Sequence, residues 1–405
     1  MRPASDPPTD AQESAALDAT RAALRAAVER GGQAMVGRRL LSELVFLSLI
    51  AQENVLLIGP PGTGKSAAAR LAAQAVGGRY FEYLIGRFTE PSEIFGPLDL
   101  AALQQGKMRP NTAGMLPEAE LAFLDEIFLG STAILNTLLG VLNERRFRRG
   151  EVDMICPLKS CVAASNHFPE DPMLRAFADR FLVTAFIDPV GDHALETLLD
   201  AGWRYGVEEP AAPEADAGAL SIAALGRLTE AAKRVEVAPL RPLYAHVLRK
   251  LRARGVAFSD RRIVKGQTLI ASAAAAAGRS VAAPADLWPV AFMAQDRAAQ
   301  AEARDTLQEE LSAAESPVFS AAAQAVSVGA AARAEELRSA GVALLENRPA
   351  LQTGEAWEMW LVRAESLLAQ IDAGFARDAL PEALAALRAG LSAAQAAGSA
   401  PGAAP

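Results

Sequence analysis

Cysteine and histidine are scarce, with two of one and three of the other in 405 residues. A side-chain metal centre needs ligands at fixed spacing, and neither Cys156 and Cys161 in MICPLKSCVAAS nor His167, His193 and His246 supplies them. The thiols, in an apolar stretch that reads as a strand, are expected to be buried, and the histidines to be structural or surface residues. No apolar run reaches about 18 residues without a charge, so no membrane span is expected. The start, MRPASDPPTDAQESAALD, lacks a basic segment followed by an apolar core, so no signal peptide is expected and the cytoplasm is the expected location. An excess of positive charge is missing too: the formal net charge is -8. That gives no general attraction to DNA, RNA or an acidic membrane, although a local basic patch could still act. Nucleic acid is not the expected partner.

What is present is an ordinary globular composition, 51% hydrophobic and 22% charged, in a chain long enough for two or three domains. Residues 1 to 12, rich in proline and acids, read as disordered, and SAALDATRAALRAAVERG reads as a helix ending at Gly31. A second helix runs through RRLLSELVFLSLIAQ. Apolar strand candidates then alternate with helices: NVLLIG, RYFEYLIG, LAFLDEI, SCVAAS and RFLVTAFI. The alternation predicts a three-layer α/β domain ending near Pro189. Beyond it the chain reads as helical, interrupted by a loop at 206 to 219, and from Ala301 it becomes alanine-rich with helical spacing in AWEMWLVRAESLLAQI. Trp357, Trp360, Leu361 and Leu367 are the expected packing face there. The expected divisions are 1–33 for a tail and helix, 34–190 for the α/β core, 191–300 for a helical lid and 301–405 for a helical extension with a floppy tail.

GPPGTGKS, Gly59 to Ser66, fits the G-x-x-x-x-G-K-[ST] phosphate-loop pattern between an aliphatic strand and a helix, the context that the motif requires. Within the nucleotide-binding stretch Pro60, Pro61, Gly62, Thr63 and Gly64, the glycines would let backbone N–H groups turn inward around the phosphates, and the following helix adds the positive end of its dipole. Lys65 supplies charge for the β- and γ-phosphates, and Ser66 a hydroxyl for Mg2+. ATP and Mg2+ are the expected ligands.

In FLDEI, a strand ending in Asp125-Glu126 delivers two carboxylates to the carboxyl edge of the sheet, beside the phosphate loop. Asp125 would orient magnesium through water, and Glu126 would polarise the attacking water. The plainer alternative, acids opening the next helix, explains one carboxylate but not the coincidence of the pair with a phosphate loop. Asn166 ends the strand SCVAAS on the same edge, where an amide can hold the attacking water or touch the γ-phosphate.

GPPGTGKS, FLDEI and AASN, in this order and on these strands, resemble the AAA+ ATPases. The stretch Gly86 to Ile127 and the segment ILNTLLGVLNERRFRRG narrow the resemblance to the MoxR group, closest to its RavA-like branch. The fold it implies is a P-loop NTPase αβα core with an all-α lid and a helical C-terminal extension. The resemblance also implies a homo-oligomer, usually a hexameric ring or spiral, with nucleotide between subunits. In LRAFADRFLV, Arg180 matches the family's arginine-finger position, the alternative being a surface arginine paired with Asp179. Arg261 in FSDRRIVKG best matches the second sensor, reaching the γ-phosphate from above, with Arg262 as its competitor. AMVGRR resembles the adenine-side loop, which makes Val36 and Gly37 candidates for base contacts. Past Ala301 no β-rich module like that of the RavA-like proteins is visible.

The activity implied is ATP hydrolysis coupled to remodelling, activation or metal insertion of a client protein, with a von Willebrand factor A domain partner. Two other readings remain open at the level of sequence: a DNA-acting motor and a nucleotide-gated scaffold with slow hydrolysis. The cluster Arg145, Arg146, Arg148 and Arg149 could line an inter-subunit face, touch a neighbour's nucleotide, project into a pore on a hairpin turning at Arg149-Gly150, or be merely solvated.

Overall fold

The computed structural model describes residues 10–191, 194–207, 220–327, 330–349, 354–374 and 381–398. The expected N-terminal disorder, most of the 206–219 loop, His193 and the floppy tail fall outside them. Two compact units emerge, Met1–Pro189 with Thr197–Ser327, and Val190–Glu196 with Val328–Pro405.

The first unit is built on seven strands: β1 Val55–Ile58, β2 Tyr80–Leu84, β3 Leu121–Asp125, β4 Arg146–Arg149, β5 Val152–Ile155, β6 Ser160–Ser165 and β7 Val183–Phe186. Five form a parallel sheet in the order β2-β3-β6-β1-β7, and β4 with β5 makes a separate hairpin. These are the five strands expected from the sequence. The apolar runs VLLI and SCVAAS lie wholly buried, as central strands covered on both faces do. Their pleat sorts side chains between two cores. Val55, Leu57, Leu121, Phe123, Val162 and Ala164 face one, while Leu56, Ile58, Ala122, Leu124, Cys161 and Ala163 face the other.

The helices of this unit before the lid are α1 Asp10–Ala34, α2 Arg39–Ala51, α3 Lys65–Val76, α4 Pro91–Phe95, α5 Leu100–Gln104, α6 Thr132–Leu139 and α7 Pro172–Ala178. α1 is longer than expected and runs through Gly31. A Cβ on Gly31 would stand 2.5 Å from Ser42 Oγ, so this glycine permits a close approach of α1 to α2 instead of ending a helix. The chain after the second motif changes conformation twice. α6 passes into a π-helical turn, Gly140–Glu144, and Arg145 in a left-handed conformation (φ 53°) starts β4. Arg149 pairs with Val152, so the hairpin turns at Gly150 and Glu151, one residue later than expected.

α8 Leu195–Val207 precedes the helices of the expected lid, α9 Ile222–Arg234, α10 Arg241–Ala253 and α11 Asp260–Ala276, and with α12 Arg297–Thr306, α13 Gln308–Leu311 and α14 Ser320–Ser327 these belong to the same compact unit as the sheet. α9 and α11 pack on α2. Seams between them are hydrogen-bonded, Thr229 Oγ1 donating to Ile50 O at 2.9 Å and Lys265 pairing with Glu53 at 2.6 Å.

The second unit contains α15 Ala330–Glu346, α16 Glu355–Gly374 and α17 Glu382–Gly398, packed pairwise around their own core. Trp357 and Trp360 stack at 5.0 Å, and Trp357, Trp360 and Leu367 are buried, with Leu361 partly so.

Candidate nucleotide site

The phosphate loop leaves the end of β1 at the carboxyl edge of the sheet, and each of its bends has a local cause. Gly59 N donates to Ser165 O at 3.1 Å, and a Cβ there would stand 2.4 Å from Ile187 O, so only glycine fits between the strand ends. Gly62 and Gly64 have φ of 76° and 84°, the left-handed region where other residues are strained. Gly62 has nothing within 4 Å of its Cβ direction, which leaves space beside the turned backbone. Gly64 caps α3, a helix of 12 residues whose N-terminus faces the same space.

Lys65 is buried, and its Nζ donates to Gly59 O at 2.6 Å, Pro60 O at 3.0 Å and Asn166 Oδ1 at 3.3 Å. Burial holds its pKa below the ordinary lysine value, with the charges of Asp125 and Glu126 opposing that shift. Thr63 Oγ1 closes the loop onto Pro60 O at 2.8 Å.

Asp125 ends β3 and accepts from the Glu126 amide through Oδ1 at 2.9 Å. Glu126 has φ 49°, a costly value for a residue with a Cβ, and the bend turns its side chain from the strand direction into the short helical turn Ile127–Leu129. Glu126 Oε1 accepts from Asn166 Nδ2. The structure therefore brings Lys65, Asn166 and Glu126 into one hydrogen-bonded line across β1, β6 and β3. Asp125 and Ser66 lie beside it, at the end of β3 and in the first turn of α3.

These residues fit a magnesium nucleotide. Backbone N–H groups and an ammonium suit the phosphates, while one hydroxyl and one carboxylate suit an ion that keeps several waters. Among the described residues no group of three His, Cys, Asp or Glu could hold a metal by itself. Any ion here would arrive with its phosphates.

Val36 and Gly37 precede α2, and Gly37 has φ 68°. Their neighbour Arg38, absent from the sequence candidates, donates Nε to Thr63 O at 2.8 Å and ties this loop to the phosphate loop. The doubled arginine in AMVGRR was the available signal.

Arg180, Arg261 and Arg262 stand elsewhere. β1 and β7 run parallel, Val55 beside Val183 and Ile58 beside Phe186. Arg180 precedes β7, and its carbonyl accepts from Asn54 Nδ2 at 3.4 Å, at the amino edge of the sheet. The phosphate loop starts at the other end of β1, about 13 Å away along a four-residue strand. Ser259, capping α11, donates to Asp179 Oδ2 at 3.1 Å, so Arg261 and Arg262 belong to the amino edge as well. Both arginines thus stand away from the phosphate loop of their own chain.

Arg262 is also spent. It is 1% exposed and donates to the carbonyls of Asp179 (3.3 Å), Phe181 (2.8 Å), Leu182 (2.9 Å) and Met293 (2.5 Å). It fastens the lid to the core and has no fork left for a nucleotide. Burial pushes its pKa down to about 10, so it stays charged at neutral pH. Arg261, half-buried beside it, makes none of these contacts. Arg180 pairs with Asp179 at 3.6 Å and donates Nη1 to Ala176 O at 3.2 Å.

Arg145, from the basic cluster, is an interior post: it donates to Gln52 O (2.8 Å), Leu142 O (2.9 Å) and Asn54 Oδ1 (3.2 Å). Arg146, half-buried, and Arg148, exposed, are paired with Asp153 and Glu144 on the same hairpin region.

The chain is similar to known proteins in sequence and fold. Residues 22–227, just over half the chain, match the family described as "MoxR domain in the MoxR-vWA-beta-propeller ternary systems". An uncharacterised protein of Methanocaldococcus jannaschii is 35% identical over 251 residues, 62% of this chain and 64% of that protein. Chaperone MoxR1 of Mycobacterium tuberculosis is 29% identical over 202 residues, 49% of this chain and 51% of the relative. The match thus spans less than two thirds of either relative. A crystal structure from Cytophaga hutchinsonii, provisionally described as an ATPase, superposes with a TM-score of 0.57 at 14% identity, over 69% of this chain and 88% of that one, which speaks for the fold. With its parallel sheet, its phosphate loop and the profile match over residues 22–227, the chain belongs to the MoxR family of AAA+ ATPases.

Proposed function

We propose that the protein hydrolyses ATP at a site completed by a second copy of the chain, and that the assembly, a hexameric ring or spiral, remodels or activates a client protein. The observation that carries this reading is the division of the machinery between two edges of one sheet. Lys65, Asn166 and Glu126 lie at the carboxyl edge, whereas Arg180 and Arg261 lie at the amino edge with no phosphate loop of their own within reach.

In this reading the N–H groups of the phosphate loop and Lys65 hold the phosphates, and Val36 and Gly37 face the base. Ser66 and Asp125 hold Mg2+, which offsets phosphate charge when bound. Glu126 takes a proton from the attacking water as its oxygen bonds to the γ-phosphorus, and the β–γ bridging oxygen leaves on ADP. Asn166 keeps the Glu126 carboxylate aimed at that water. Arg180 from the neighbour offsets the negative charge that develops on the γ-phosphoryl group, and Arg261 from the same neighbour stands beside it.

A von Willebrand factor A domain partner is proposed on the wording of the matching family, and a chaperone role on the relative's name. Cytoplasmic location is proposed with it; no described helix is long and apolar enough to cross a membrane. A DNA-acting motor draws no support from Arg145, Arg146 and Arg148, which are engaged within the chain.

The test is ATP turnover per subunit over a wide range of protein concentrations, with Glu126→Gln and Arg180→Ala alongside. Specific activity that rises with concentration, and two inactive variants, agree with the proposal. Flat specific activity with a normal Arg180→Ala enzyme contradicts it.

A further inference from the structure

Beside Arg180 the first unit carries a feature that hydrolysis does not use. α6 and α7 leave between them a cavity of about 150 Å³. Leu135, Leu139 and Phe177 line it from within, and Met173, Ala176 and Arg180 stand along the α7 side. Met173 is 68% exposed at its edge. Arg180 Nε is buried with no hydrogen-bond partner among the described residues.

We propose that this cavity receives one apolar side chain from a second copy of the chain and so fixes where the neighbour's phosphate loop meets Arg180. The inference rests on the shared site proposed above and goes beyond it in naming the anchor. Size selects the kind of guest: a hollow of this volume has room for about one benzene-sized group, too little for a strand or a helix, and Thr132, Asn136 and Arg180 give it a polar side. Continuity selects its owner. Arg180 is both a wall of the cavity and the group that has to meet another chain's phosphates, so the chain that supplies those phosphates also covers the hollow.

The carboxyl edge of the same fold carries an apolar group able to serve: Phe88, 96% exposed, follows the carboxyl end of β2. Hollow and anchor are different patches, so the contact is head-to-tail and propagates into a ring or a spiral. Central apolar anchors of this kind carry a large share of the binding energy of an interface.

Ala176→Trp and Asn136→Trp block the cavity from its two walls at exposed positions that leave the fold intact. Assembly of the full chain with a non-hydrolysable ATP analogue is followed by light scattering against concentration, and nucleotide binding by fluorescent ADP. Wild type is expected to assemble, and both variants to bind ADP normally yet assemble only at concentrations about tenfold or more higher. If both variants assemble at the wild-type concentration, the cavity is not the anchor and the shared site still stands. A wild-type chain that stays monomeric at every concentration overturns the shared site and the anchor together.

Discussion

Asn166 holds Glu126: its Nδ2 donates to Glu126 Oε1 while its Oδ1 accepts from Lys65 Nζ at 3.3 Å, so one amide links the phosphate-binding cation to the carboxylate at the end of β3. Both ends of the amide are occupied, which fixes its orientation. Removing it frees the carboxylate to rotate away from a line that the φ 49° backbone of Glu126 is bent to provide. Asn166→Ala is expected to lower turnover on the order of 100-fold or more, the scale for losing one aligned donor in an active site. Nucleotide affinity measured by fluorescent ADP should change little, because Lys65 keeps its carbonyl partners.

Lys65 makes nucleotide binding depend on pH. Its pKa lies below the ordinary lysine value because burial disfavours the ammonium. Phosphates favour the charged form and raise the pKa again on binding, so above the lowered value binding takes up a proton and affinity falls as pH rises. Calorimetry in buffers of different ionisation enthalpy should register that uptake in the alkaline range, and Lys65→Ala should bind weakly without it.

The two neighbouring arginines of α11 separate stability from assembly. Arg262→Met leaves buried carbonyls of Phe181, Leu182 and Met293 without their donor and should cost on the order of 3 kcal/mol in denaturant unfolding. Arg261→Ala should leave unfolding within about 0.5 kcal/mol and still reduce turnover of the assembled protein. Equal losses of stability would contradict the division of roles.

Arg145 and Arg148 differ in the same way although they sit three residues apart. Arg145→Met removes donors to Gln52 O, Leu142 O and Asn54 from the interior and should cost about 2–4 kcal/mol. Arg148→Ala, on the exposed hairpin, should leave unfolding unchanged, and the wild-type chain should show no strongly salt-dependent binding to single-stranded or duplex DNA.

These positions show what could be read from sequence and what could not. The β1 run, the glycines of the phosphate loop, and the acids and amide at strand ends were legible because a strand and a tight turn decide where those groups go locally. The lid arginines were not legible in the same sense, since FSDRRIVKG predicts the helix but not the sheet edge on which the helix docks. Arg145 misled for a related reason. A run of arginines reads as a solvated surface, and only the left-handed turn that closes the π-helical segment sends this one inward. Gly31 misled in turn, because a glycine that ends a helix and one that admits a neighbouring helix look alike until the partner is known.

Division of the site between two chains is the central claim, and mixing two inactive variants tests it most directly. Glu126→Gln keeps Arg180, and Arg180→Ala keeps Glu126. In a head-to-tail assembly, about a quarter of randomly formed interfaces regain one intact copy of each. The account predicts that the mixture hydrolyses ATP although neither variant alone does. A mixture as inactive as its components, or full activity from Arg180→Ala alone, would contradict it.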